Sequence, residues 1–131
     1  MFFRKRKYTD NVLGELVYGS RSWVVQICST KNKELYIEVS GSKEAPHKTS
    51  LSQAKFLLEI ISKKEIIATE YVDFVDISEY QKDAGDLVLV GFLCSENNGE
   101  YDLFFSLSEW DDAEIIVHFK GDEPYAISLG D

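Results

Sequence analysis

Hydrophobic residues divide this chain into three blocks, and this division constrains the fold more than any other feature. Residues 22–28 and 34–40 alternate with period two, as in a strand with one buried face. Residues 47–84 contain no Gly and no Pro and carry apolar residues at helical spacing. After residue 86 the strand patterns return. Strands, then helices, then strands predict an α+β fold.

The two strand blocks predict antiparallel meanders, because short turns separate consecutive strands. The first block predicts three strands, at residues 12–18, 22–28 and 34–40. Two predicted turns, at residues 18–21 and 29–33, join them. The third block predicts four strands, at residues 87–93, 101–107, 114–119 and 125–129. The first of these four is apolar throughout, which is typical of a strand covered on both faces. Asn98-Gly99 predicts a type I′ turn, since both residue types tolerate positive φ.

The central block predicts a pair of helices, or one bent helix, packed on the sheet. Ser50 with Gln53 three residues later has the form of a capping box, which places a helix start at Ser50. The first apolar stripe consists of Leu51, Ala54, Leu57, Leu58 and Ile61. The second consists of Ile67, Tyr71, Phe74 and either Val75 or Ile77. A single straight helix over residues 50–82 would be unusually long, so we expect a break near residues 62–65.

A chain of 131 residues with 44% apolar content has the size and composition of one folded domain, so residues 1–131 form a single predicted domain.

The basic residues 4–7 are followed by polar residues 8–11, which indicates a basic arm rather than a signal peptide. No segment predicts a membrane span. Cys28 and Cys94 lie in apolar runs without metal-ligand spacing, which fits unpaired thiols in the cytoplasm.

Charge is sorted along the chain. Residues 1–64 hold twelve bases and six acids, a net charge of +6. Residues 65–131 hold two bases and seventeen acids, a net charge of −15. An acidic half repels nucleic acid and membrane phosphate, and it attracts basic proteins. The sequence therefore predicts a basic protein partner, predicts neither a nucleic-acid nor a membrane partner, and leaves the oligomeric state open.

No catalytic, metal or cofactor site is predicted. A nucleophilic site needs a nucleophile, a base and an orienting group in contact, and we interpret His47 and His118 as surface histidines. Residues 111–114 lack the glycine turn and the alternation of a calcium loop. The glycines are scattered and form no phosphate-binding loop. We therefore expect a non-catalytic domain without a cofactor.

Trp110 is the first candidate for partner binding. Glu109, Asp111 and Asp112 surround it in a predicted loop of residues 108–113. A large aromatic residue inside an acidic loop has the composition of an interface anchor with a charged rim. Alternatively, Trp110 folds back as a lid on the core.

One face of the C-terminal strands is the second candidate. The alternation predicts that the core-facing residues are Tyr101, Leu103, Phe105, Leu107, Ile115, Val117 and Phe119. The residues that then face the other way are Asp102, Phe104, Ser106, Glu114, Ile116 and His118. This second set is either an exposed binding patch or the face that the helices cover.

The chain resembles the small acidic bacterial immunity proteins. The likeness lies in architecture and charge: an N-terminal hairpin containing Trp23, a helical middle, and a C-terminal meander carrying Trp110 with Asp111 and Asp112. Such proteins neutralise the toxin domains of contact-dependent or other secreted toxins. The resemblance implies a tight one-to-one complex with a cognate basic toxin domain, for instance a nuclease, and no catalysis.

Two other functions stay open. One is an interaction module that self-associates through a strand edge, and the other is a small enzyme or carbohydrate-binding domain. A single basic partner that co-purifies would favour the immunity protein. Oligomers without a partner would favour the interaction module, and a ligand in a cleft would favour the enzyme.

Overall fold

The computed structural model describes residues 6–19, 21–28 and 34–130, and it is an α+β structure with one eight-stranded sheet and three helices. The predicted α+β class is confirmed. The strands are β1 Lys7–Asp10, β2 Gly14–Gly19, β3 Ser22–Cys28, β4 Glu34–Ser40, β5 Leu87–Cys94, β6 Glu100–Leu107, β7 Trp110–Lys120 and β8 Glu123–Gly130. The helices are α1 Lys48–Glu59, α2 Ile61–Val75 and α3 Ser78–Gln81. The predicted turn at residues 29–33 and most of the predicted basic arm lie outside the described residues.

The strands lie in the sheet in the same order as in the chain, from β1 at one edge to β8 at the other. Neighbouring strands are antiparallel except β4 and β5, which are parallel. This pair departs from the predicted antiparallel sheet. Its cause is the crossover through the three helices, which returns the chain to the end of the sheet where β4 begins.

Strand β1 pairs with β2 and includes Lys7, which the sequence pattern places in a basic arm. The Asp10 carboxylate closes the turn between the two strands by accepting the N–H groups of Val12 at 2.8 Å and Leu13 at 2.9 Å. Lys55 of α1 places its Nζ 2.8 Å from the same carboxylate. The hydrophobic pattern does not predict β1, because a buried carboxylate rather than an apolar stripe holds its end.

Helix α1 begins at Lys48, so the predicted capping box at Ser50 and Gln53 is wrong. The buried Ser50 hydroxyl donates instead to the carbonyl oxygen of Ser95 at 2.6 Å. The Gln53 side-chain oxygen accepts the N–H of Gly99 at 3.1 Å. Both polar side chains therefore connect the first turns of the helix to the turn between β5 and β6.

That turn contains Asn98 and Gly99, as predicted, but it is not of type I′. A type I′ turn needs positive φ at both central residues, and of these two only Gly99 has it, at 86°. The N–H of Glu100 donates to the carbonyl oxygen of Asn97 at 3.1 Å.

Helix α2 follows α1 after Ile60, close to the predicted break, and α3 is a third helix beyond the predicted pair. The predicted stripe of α2 is wrong at Phe74, which is 84% exposed. The side that faces the sheet instead carries Ala68, Val72 and Lys64, all buried. Lys64 can lie there because its aliphatic stem covers apolar surface while its ammonium group contacts the carboxylate of Asp122, in the turn between β7 and β8.

The core lies between the helices and one face of the sheet. The core residues of β6 and β7 are those that the alternation predicts, namely Tyr101, Leu103, Phe105, Leu107, Ile115, Val117 and Phe119. The earlier strands add Trp23, Leu35, Ile37, Val39, Phe92 and Cys94. The helices add Leu51, Ala54, Leu57, Ile61, Ala68 and Val72. The predicted phase of β6 and β7 is therefore confirmed.

The opposite face of the sheet, here called the outer face, carries Tyr36, Val90, Phe104, Ile116 and His118. Tyr36 and Val90 are 40% and 39% exposed, so β5 is not covered on both faces as its apolar sequence predicts. Strands β5 to β8 all come from the acidic half of the chain, and because strand order follows chain order they lie side by side in the sheet.

Candidate functional site

The centre of the outer face is apolar and aromatic. Phe104 of β6 pairs with Ile116 of β7, and both are half-buried. Tyr36 and Val90 extend this surface across β4 and β5. The alternation that sends one set of side chains into the core brings the other set together here.

Two register shifts lie beside a groove in the outer face. One lies in β5, where Val90 is inserted between paired residues Leu89 and Gly91. The other lies in the pairing of β6 with β7, between the pairs that Phe105 and Leu107 form. Such bulges bend strands and are common beside functional sites. The groove has a volume of about 500 Å³, and Tyr36, Val90, Phe104 and Ile116 are among the residues that line it.

Carboxylates form the rim of this groove. Asp111, Asp112 and Glu114 of β7 are exposed there, and Glu38 of β4 is half-buried. Among the described residues, no Lys or Arg lines the groove. Burial raises the pKa of the Tyr36 hydroxyl, and the negative charge of Glu38 raises it further. The hydroxyl therefore stays protonated and can donate a hydrogen bond at the groove.

Trp110 lies on the helix side of the sheet, so it does not share this groove. The register shift pairs it with Leu107, a core residue, and paired residues share a face. Its indole packs against Tyr80 of α3, with ring centroids 5.1 Å apart. Trp110 begins β7, so the predicted loop of residues 108–113 is wrong. The lid interpretation fits this half-buried position, and Glu109 lies exposed beside it.

Asp102 and His118 lie on the outer face next to the groove and contact each other. They are paired across β6 and β7, and His118 Nδ1 lies 2.7 Å from Asp102 Oδ1. His118 Nε2 lies 2.7 Å from the Ser128 hydroxyl oxygen of β8. His118 is therefore half-buried with both ring nitrogens engaged, unlike the free surface histidine that the sequence suggests. His47 is exposed, as predicted.

The cysteines lie outside this region. Both are free thiols, as predicted, with Cys28 exposed and Cys94 buried. Burial raises the pKa of Cys94 to about 12, and the charge of Asp102 adds to the shift, so this thiol stays protonated.

Across the described ranges, no three His, Cys, Asp or Glu side chains come together as metal ligands. None of the helices in those ranges is long and apolar enough to cross a membrane.

Several outer-face residues are not singled out by the sequence pattern. Tyr36 and Glu38 could have been found from the phase of β4, because they alternate with the buried Leu35, Ile37 and Val39. Their proximity to β7 could not have been found from the sequence, since it depends on the parallel contact between β4 and β5. No local pattern encodes that contact.

The structure separates the eight predicted site residues into three groups. Phe104, Asp111, Asp112 and Glu114 line the groove. Asp102 and His118 lie beside it, and Glu109 and Trp110 lie near α3. No protein-family model, no curated protein and no solved structure matches this chain.

Proposed function

We propose that this chain is a protein-binding domain whose outer-face groove binds a basic protein. The observation that carries the proposal is the groove itself, in which Tyr36, Val90, Phe104 and Ile116 lie inside a rim of carboxylates. Specific interfaces combine a desolvated apolar centre with a polar rim. A rim of one charge favours a partner that presents Lys or Arg.

The charge of the whole C-terminal half supports the same class of partner. Residues 65–131 hold seventeen acids and two bases. Strands β5 to β8 come from this half, so the negative potential extends beyond the groove. Long-range attraction accelerates encounter, and the apolar groove residues slow dissociation once water is excluded.

The partner in this proposal is a toxin domain, and the chain is a bacterial immunity protein that acts in the cytoplasm and neutralises the toxin by binding alone. Its support is the resemblance in architecture and charge to such proteins. An acidic face is suited to a nuclease toxin, because carboxylates can occupy the basic cleft that otherwise binds nucleic-acid phosphates. Blocking that cleft requires no chemistry from this chain.

Co-expression tests the proposal. The candidate partner is the C-terminal domain of a large secreted toxin, to be sought in the gene directly upstream. This domain is produced alone and together with this chain, and growth is measured. We expect the domain alone to stop growth and this chain to restore it. The variant Asp111→Lys with Asp112→Lys should protect poorly, because it reverses two rim charges.

The matched control reverses two exposed acids of α2, Glu70→Lys with Asp73→Lys. It makes the same change in net charge away from the groove, so it should protect as well as the native chain. Equal protection by both variants would place the interface elsewhere. An upstream domain that leaves growth unaffected would contradict the immunity function.

Self-association is the second candidate, and the exposed edge strand β8 favours it. This strand is eight residues long, and Tyr125 and Leu129 on it are 61% and 45% exposed. Edge strands of this kind can pair with a second copy. Sedimentation over a concentration series should show dimers if β8 pairs in this way, and monomers throughout if it does not.

A further inference from the structure

Three side chains on neighbouring strands form a continuous hydrogen-bonded series on the outer face. Asp102 of β6 contacts His118 of β7 at 2.7 Å, and His118 contacts Ser128 of β8 at 2.7 Å. The sheet register produces this arrangement. Asp102 is paired with His118, and Ser128 is paired with Ile116, two positions from His118 on the same face.

The chemistry of Asp102 determines where the imidazole proton lies. An ionised carboxylate only accepts hydrogen bonds, so in neutral His118 the Nδ1 atom carries the proton and donates it to Asp102. Nε2 is then an acceptor, and the Ser128 hydroxyl donates to it. A hydroxyl that donates to an imidazole held by a carboxylate is the arrangement that activates a serine nucleophile.

We propose that Ser128 is the nucleophile of an esterase centre, with His118 as its general base and Asp102 as a positioning residue. The proposal goes beyond the protein-binding function and is independent of it. Ser128 is exposed and therefore reachable, whereas His118 and Asp102 are half-buried, with side chains 24% and 27% exposed. Partial burial restricts the rotation of the base and its orienting group.

The reaction is acyl transfer to Ser128 followed by hydrolysis. The Ser128 oxygen bonds to the ester carbonyl carbon while its proton passes to His118 Nε2. The bond from that carbon to the leaving alcohol breaks, and the alcohol takes the proton from His118. A water molecule then attacks the acylated serine in the same way. It releases the carboxylic acid and restores Ser128.

The surroundings define the class of substrate. Ser128 faces water, so charge on the carbonyl oxygen is stabilised less than in a closed site, and the ester needs a good leaving group. The exposed ring of Tyr125 lies 6.1 Å from the His118 ring and offers a surface for an aryl group. Asp102 and Glu100 line the depression beside His118, which disfavours anionic esters. Neutral or cationic aryl esters fit best.

A neutral alkyl fluorophosphonate tests the nucleophile by covalent labelling and mass spectrometry. Ser128 is the only serine in residues 121–131, so the tryptic peptide that begins at Gly121 reports its labelling directly. We expect labelling of the native protein at Ser128, and its loss in Ser128→Ala and in urea-denatured protein. The control Ser22→Ala, a sheet serine whose hydroxyl donates to Glu38 at 3.4 Å, should label normally.

The other two residues are tested by rate. His118→Gln should lower the labelling rate and the hydrolysis of p-nitrophenyl acetate at least about a hundredfold. Asp102→Asn should lower both rates and also change the ¹⁵N signature of the His118 tautomer, which a purely structural role would not require. Circular dichroism confirms that each variant is folded. Absence of label on Ser128, or an equal rate in His118→Gln, would overturn the proposal.

Discussion

Asp10 shows how one side chain can hold a strand that the hydrophobic pattern does not reveal. Its carboxylate accepts the N–H groups of Val12 and Leu13 and contacts Lys55, and its side chain is 5% exposed. Asp10→Ala leaves those donors without this acceptor. We expect the free energy of unfolding in urea to fall by about 2 kcal/mol. The exposed control Asp73→Ala should change it by less than about 0.5 kcal/mol, and equal losses would contradict this role.

Asp10 also predicts a dependence of stability on pH. Burial alone would raise its pKa, but the hydrogen bonds from Lys55, Leu13 and Val12 outweigh burial and lower the pKa below its ordinary value of 3.8. A carboxyl with a lowered folded-state pKa stabilises the protein above its unfolded pKa, and this contribution is lost as the pH falls through the folded value. Below pH 3.8, stability should therefore fall more steeply in the native protein than in Asp10→Ala. Parallel curves would contradict the assignment.

Trp110 is expected to act on stability rather than on binding. It packs against Tyr80 of α3, with ring centroids 5.1 Å apart, and lies outside the groove. Trp110→Ala should lower the free energy of unfolding by about 2 kcal/mol, since a half-buried aromatic side chain is lost. A double-mutant cycle with Tyr80→Ala should give a coupling of about 1 kcal/mol. No coupling would contradict the contact.

At this scale, alternation predicts which residues of β6 and β7 enter the core, because each strand keeps its period over most of its length. Alternation fails at Trp110, where a register shift moves the side chain to the other face. The capping-box prediction fails at Ser50, whose hydroxyl donates to a carbonyl 45 residues away instead of accepting an amide at the helix start. Both failures depend on tertiary contacts.

Among the elements, the parallel contact between β4 and β5 joins the two halves of the sheet, and Gly91 permits it. A Cβ atom at Gly91 would overlap the carbonyl oxygen of Tyr36, a backbone atom that cannot move aside alone. Gly91→Ala should lower the free energy of unfolding by about 2 kcal/mol or more. The control is Gly19→Ala, where a Cβ meets nothing within 4 Å. Equal stability of the two variants would contradict this packing.

The elements themselves are predictable where the pattern is long and periodic. Strands β3 and β4 have the predicted bounds, whereas β1 and α3 have only four residues each and carry no periodic signal. The stripe of α2 is wrongly predicted at Phe74, which is exposed, whereas the charged Lys64 lies on the buried side. Its ammonium group contacts Asp122 at 3.0 Å and lies 6.0 Å from the Tyr101 ring centroid.

For the whole molecule, the charge asymmetry of the chain becomes an asymmetry of the sheet, because strand order follows chain order. Against a basic toxin domain, Asp111→Lys with Asp112→Lys should lower the association rate, and added salt should shrink the difference. Phe104→Ala should mainly raise the dissociation rate, and as a hot spot Phe104 should account for about 2 kcal/mol of the binding free energy. Surface plasmon resonance separates the two effects, and binding indifferent to salt and to these substitutions would contradict this interface.

The groove as a binding site for basic side chains can be tested without the natural partner. ¹⁵N and methyl NMR spectra of the native protein are recorded during titration with an arginine decapeptide, with a glutamate decapeptide as the control. The proposed function predicts that only the arginine peptide shifts resonances, that the shifts centre on Tyr36, Val90, Phe104 and Ile116, and that salt weakens them. Shifts centred on α1 and α2, or equal shifts with both peptides, would contradict it.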